Sequence, residues 1–275
     1  MDLTIDLSVL DTQPAEDYHA QARDHLSSHQ LMDFMHCPWL YQKKRLGLID
    51  PPETPAMLLG RATHCRILEG CDAFRGQFAL GGPINKSTGK PYGKDTQAFR
   101  GWCAEQGKPG VHYDDLALIE QMASGVAMND AAVDLLLYGR GEGVVRTTYG
   151  DTPCQARFDW VHPHRGIVDL KTTAELHWFE AEVKRRRYVH QMAFYQALLE
   201  IALGLPPDPG AGSIPVHLVA VEKCEPFRCG VWQLTPNALA IARQENEAAI
   251  RRLRRATQLD KFPTGYEEVR LLDAA

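Results

Sequence analysis

The stretch from Phe158 to Thr173, FDWVHPHRGIVDLKTT, constrains the fold more than any other part of the chain. IVDLK is a short run of β-branched and apolar residues, the pattern of a buried strand. CQARFDWVH, just before it, also reads as a strand. HPHRG between the two carries Pro163 and Gly166, both turn formers. A hairpin closed there sets Asp159 beside Asp169. Side chains alternate along a strand, so Asp169 and Lys171 share one face while Val168, Leu170 and Thr172 point the other way.

This spacing has a chemical consequence. Two carboxylates at close range repel, and a divalent cation between them removes that cost. Mg²⁺ is the expected occupant, with Mn²⁺ able to substitute, because both suit carboxylate and carbonyl oxygen. The backbone carbonyl of Leu170 can add an oxygen to the metal ligands Asp159 and Asp169. Lys171 then lies where it can orient or deprotonate an attacking water, or stabilise charge on a phosphate. These are the requirements of phosphodiester hydrolysis. One ion would activate water and a second would stabilise the leaving oxygen, and the spacing does not choose between one and two. The alternative is a surface hairpin with a solvated Asp–Lys pair, and D-x-K alone is compatible with it.

Two further segments bear on that choice. MLLGRATHCRILEG, Met57 to Gly70, reads as a helix with Gly60 facing a close neighbour and His64 one turn later. His64 can serve as a neutral imidazole donor to the metal, or simply pack in the core. YVHQMAFYQALLEIALG reads as a helix capped by Gly204, with an apolar stripe of Met192, Tyr195, Leu198, Leu199 and Leu203. Gln191 and Tyr195, at i and i+4, project together and can hold a phosphate, a base edge or a carboxylate. The alternative is a core tyrosine beside a surface glutamine.

Taken in order, GRATH, ARFDW, VDLKTT and QMAFY resemble the PD-(D/E)xK nuclease superfamily, most closely its RecE-type (exonuclease VIII) branch, with RecB-like nucleases and lambda-type exonuclease as relatives. LSSHQLMDFMHCPWLYQKKRLG, VHLVAVEKCEPFRCGVWQL and KFPTGYEEVRLL extend the resemblance from about Ser27 onward. It implies that His64 approaches the metal, that Asp159 and Asp169 are ligands, that Lys171 is the catalytic lysine, and that Gln191 and Tyr195 lie beside DNA and the active site. Glu142 is the nearest match to an additional acid found in some relatives. The resemblance further implies a Mg²⁺-dependent exonuclease on linear double-stranded DNA, acting 5′→3′ and leaving 3′ single-stranded tails for a single-strand annealing protein in phage-type recombination. Such enzymes often assemble as homo-oligomeric rings. A RecB-like nuclease of other polarity, one acting on single strands or as an endonuclease, and a non-catalytic DNA-binding module are the competing readings.

The rest of the chain sets the context. With 275 residues it can bury one large core. The expected architecture is α/β, a central mixed sheet flanked by helices, with residues 1–26 as a loosely attached arm and 27–275 as a single domain. Helices are expected over residues 27–47 and 55–69, and a mobile loop over 81–95, where Lys86, Lys90 and Lys94 lie. The net charge of −5 is unusual for a DNA-binding protein, but the local field matters more than the total. One basic run, Lys184, Arg185, Arg186 and Arg187, is placed to meet phosphates entering the site. A second, Arg251, Arg252, Arg254 and Arg255, reads as a solvated helical face or a subunit contact. The seven cysteines are scattered and odd in number, which argues against a disulfide framework, and their spacing predicts no iron–sulfur cluster. No apolar run is long enough to span a membrane, and the acidic N-terminus lacks a signal-peptide pattern, so a cytoplasmic protein is expected.

Overall fold

The computed structural model describes residues 4–49, 53–206 and 214–272. Its centre is a six-stranded mixed sheet. The strands are β1 (Asp11–Thr12), β2 (Arg140–Tyr149), β3 (Thr152–His162), β4 (Gly166–Thr173), β5 (Val216–Glu222) and β6 (Cys229–Gln233), lying in that spatial order. Among the described residues of this sheet, only the β4–β5 pair is parallel. The excursion between them contains the buried helix α4 (Tyr188–Ala202), as a parallel crossover requires.

Helices cover both faces. One face carries α1 (Ser28–His36), α4 and α5 (Pro236–Leu259), which pack Leu31, Phe34, Phe194, Leu198 and Ile250 against Phe158, Ile167 and Leu218. The other carries α2 (Pro55–His64) and α3 (Tyr113–Ala127), which pack Ala62, Ile119 and Met122 against Val168, Leu170 and Val219. Ile167 and Val168 enter opposite cores, the period-2 alternation read in the sequence. The expected α/β sandwich is therefore present. Among the described residues, no helix is long and apolar enough to cross a membrane.

Helix boundaries follow local chemistry. Ser27 caps α1 in a reciprocal box with Gln30. Thr235 caps α5, and Pro236 occupies its first turn. Gly204 follows α4 at φ +65°, the left-handed geometry of a C-terminal cap. The single helix expected over 27–47 is broken at Cys37, whose extended backbone precedes Pro38, and a second helix runs from Pro38 to Arg45. α4 is not merely striped. Every residue from Met192 to Glu200 is buried, because the helix lies between the sheet and α1 and α5.

Two expectations about loose segments are corrected. Residues 4–26 do not hang from the domain: Ile5 and Leu10 enter the core, Asp11 and Thr12 pair with β2, and the Leu26 amide donates to the Pro153 carbonyl. Their apolar residues are too few and irregular to show a period, yet each fills a site on the sheet. Residues 81–95 form an ordered turn. Ile84 bridges Pro91, the Asn85 side chain accepts from Ser87, and Lys94 pairs with Asp115.

The β3–β4 hairpin turns on Gly166, at φ +84°, where an added Cβ would meet the Pro215 carbonyl oxygen at 2.0 Å. Both the backbone sign and the space require glycine. Gly166→Ala is expected to destabilise the fold by about 2 kcal/mol or more, read as a lower urea midpoint with unchanged slope.

Candidate active site

The hairpin register places Trp160 opposite Val168 and Val161 opposite Ile167, so the next step along each strand brings Asp159 and Asp169 together. The ladder stops there. Phe158 lies in the core under α4, whereas Trp160 packs in the opposite core, although strict alternation would put both on one face. Across from this slip, Glu142 of β2 has φ +54°. Such kinks re-aim side chains at sheet rims. Here the Asp159 Oδ2 atom accepts from the Leu170 amide at 2.9 Å and stands 3.4 Å from His64 Nδ1.

Asp169 and Lys171 share the face toward α4, as their spacing predicted, and form an ion pair. Asp169 is buried, and its Oδ1 atom has no hydrogen-bond partner among the described residues. Lys171 Nζ also lies 4.8 Å from the centroid of the Tyr188 ring. On α4, Gln191 Nε2 donates to Tyr195 Oη at 3.2 Å, and the Tyr195 ring packs edge-on against Phe158. A cleft of about 680 Å³ joins these groups: His64, Asp159, Lys171, Gln191 and Tyr195 all line it.

The electrostatics separate the two aspartates. Burial pushes the Asp169 carboxyl above its ordinary range, with Lys171 opposing and Asp159 reinforcing. Burial acts likewise on Asp159, but His64, Lys171 and the Leu170 amide outweigh it and hold that carboxyl low. Burial alone would lower the Lys171 ammonium and the His64 imidazolium. The adjacent carboxylates reverse this, so both are raised.

Several residues at the cleft were not anticipated. Tyr18 and His19 come from the segment expected to be an arm, and His29 from the first turn of α1. None of these carries a local motif. Glu142, the nearest match to the additional acid of some relatives, also lines the cleft and pairs with Arg157, and burial followed by repulsion from Asp159 raises its carboxyl to about 7. Gly60 faces the cleft itself, with nothing within 4 Å of where its Cβ would sit, which corrects the expected close neighbour. Of the basic run, only Arg186 lines the cleft, held by Glu182 at 2.6 Å, while Lys184, Arg185 and Arg187 are exposed beside it.

The donor chemistry fits a hard cation. Among the described residues, no group of three or more His, Cys, Asp or Glu side chains stands ready as a cage. Mg²⁺ does not need one: it keeps several waters and binds through one or two carboxylates. The unpartnered Oδ1 of buried Asp169, with Asp159 at its side, is such a donor set.

A mixed sheet flanked by helices, with Asp159 on one strand and Asp169 and Lys171 on the next, defines the PD-(D/E)xK nuclease fold. More narrowly, the model of the PDDEXK-like domain of unknown function (DUF3799) matches residues 27–275, and the chain belongs to that family. The crystal structure of a protein named "putative exonuclease" from Eubacterium rectale superposes with a TM-score of 0.68. The two share 15% identity over 96% of this chain and 97% of that one. Among curated proteins, none matches the chain.

Proposed function

We propose that this protein is a Mg²⁺-dependent exodeoxyribonuclease that hydrolyses linear double-stranded DNA, 5′→3′, leaving 3′ single-stranded tails. The observation that carries the reading is the convergence of Asp159 and Lys171 on one cleft, with buried Asp169 paired to Lys171 and carrying an unpartnered carboxylate oxygen. Asp159 and Asp169 would hold the ion, with the Leu170 carbonyl contributing and His64 orienting Asp159. When bound, the ion supplies Lewis acidity at the phosphate and acidifies an attacking water. Lys171, whose Nζ keeps its proton beside two carboxylates, orients that water and stabilises negative charge developing on the phosphate. Gln191 and Tyr195 position the strand. A ring of copies around the duplex, and delivery of the tail to a single-strand annealing protein, belong to the same proposal.

A binding module that kept the fold is the weaker reading. Buried ion pairs are poor stability devices, since apolar replacements are often as stable or better. The Asp169–Lys171 pair is costly to retain unless it performs chemistry.

A linear duplex labelled at either the 5′ or the 3′ end tests the polarity, beside a closed circle. Early Mg²⁺-dependent release of the 5′ label with the circle intact is expected. Early release of the 3′ label overturns the polarity, and cutting of the circle makes the enzyme an endonuclease.

Metal binding should also depend on pH. The raised Asp169 carboxyl must lose its proton to hold a cation, so binding releases protons. Mg²⁺ affinity by calorimetry is expected to fall as pH drops from about 8 to about 5. Asp169→Asn should flatten that dependence.

A further inference from the structure

The second basic run forms part of a surface that the cleft does not include. One concavity is bordered by Arg23, Arg45 and Arg254, and an adjoining one by Arg251, Arg254 and Arg255. Arg254 belongs to both, so the two are continuous. Asp24 and Asp151 border the first, and Asp151 pairs with Arg254 at 2.8 Å. No acidic residue lines the second. Among the described residues, Arg23, Arg45, Arg251 and Arg255 take part in no ion pair.

Ordinary helix electrostatics do not account for this cluster. α5 ends at Leu259, so Arg251, Arg254 and Arg255 precede its last turn, where the helix dipole favours cations. Glu247 is the acid one turn before Arg251, but it accepts from the Tyr149 hydroxyl at 3.3 Å. Several uncommitted guanidinium groups around one concave surface, in a chain of net charge −5, call for an external anion.

The surface also adjoins the cleft. Tyr18, His19, Ser28 and His29 border the cleft, while Arg23, His25 and Gln30 border the basic surface. The segment from Tyr18 to Gln30 thus contributes side chains to both. We propose that the arginine surface of α5 is a second binding site for the phosphate backbone of a nucleic acid, continuing the track of the strand held in the cleft. The inference rests on the nuclease reading above. Guanidinium groups suit this role because their planar forks bind phosphate oxygens in pairs.

The test is binding of a fluorescent duplex in EDTA, where no digestion occurs, over a range of KCl concentrations. R251Q/R255Q is compared with wild type and with K86Q/K90Q, a pair of exposed lysines elsewhere. Losing two phosphate contacts on a duplex should make the slope of log K against log[salt] shallower by about 1.8. K86Q/K90Q should match wild type, and R251Q/R255Q should keep the wild-type thermal unfolding midpoint. An unchanged slope for R251Q/R255Q overturns the proposal. So does loss of self-association by that variant with DNA binding intact, which would make the surface a contact between copies. A wild type that binds with the steeper slope but digests nothing overturns the nuclease reading and leaves this surface standing.

Discussion

Lys171→Ala is expected to fold, to bind DNA and to cut it at least about 10³-fold more slowly than wild type. Lys171 lies on the face of β4 toward the cleft, its ammonium against Asp169 and over the Tyr188 ring. Its proton is held by both carboxylates, so its contribution is positive charge and hydrogen bonding to water and phosphate rather than proton abstraction. Removing it leaves Asp169 buried without its cation. That carboxyl, already raised by burial, takes a proton in the metal-free protein, and in Mg²⁺ the ion takes the place of the lysine charge. Folding therefore survives where a buried ionised carboxylate would not. The measurement is single-turnover cleavage together with equilibrium DNA binding. Cleavage at the wild-type rate would remove Lys171 from the mechanism.

Asp159→Asn and Asp169→Asn should act on the metal first. Asparagine keeps the volume and one carbonyl oxygen, so the Leu170 amide can still donate to residue 159. What is lost is the negative charge that attracts a hard cation. Each substitution is expected to weaken Mg²⁺ binding at least tenfold and to reduce cleavage at least 10²-fold, of the order seen when metal-site support is removed. The two should differ in the metal-free protein. Asp169→Asn relieves a carboxylate that burial disfavours, whereas Asp159→Asn breaks the contact with His64. Unchanged Mg²⁺ affinity by calorimetry in either variant would contradict its role as a ligand.

The site's local half was legible in the sequence. β4 and its turn are short, apolar and bounded by Pro163 and Gly166, so alternation alone set Asp169 and Lys171 on one face. The i, i+4 spacing of Gln191 and Tyr195 did the same on α4, and the structure joins them by a hydrogen bond. The other half depends on contacts distant in the chain. Leu10 and Tyr18 show no period, yet both are buried, Leu10 in the core and Tyr18 with its carbonyl accepting from Gln155 of β3. Glu142 reaches the cleft through a left-handed backbone that no motif of β-branched residues announces. His29 follows an ordinary helix cap, and its place beside the cleft comes from how α1 packs on α4. All four residues of the basic run are exposed, and the turn between helices sets only Arg186 at the edge of the cleft, where Glu182 holds it.

The most direct test of the account is digestion of a linear duplex by wild type and Lys171→Ala, each in Mg²⁺ and in EDTA. Cleavage confined to wild type in Mg²⁺ is the predicted result. Cleavage in EDTA, equal cleavage by the variant, or no cleavage by wild type in Mg²⁺ would contradict a metal-dependent nuclease built on Asp159, Asp169 and Lys171.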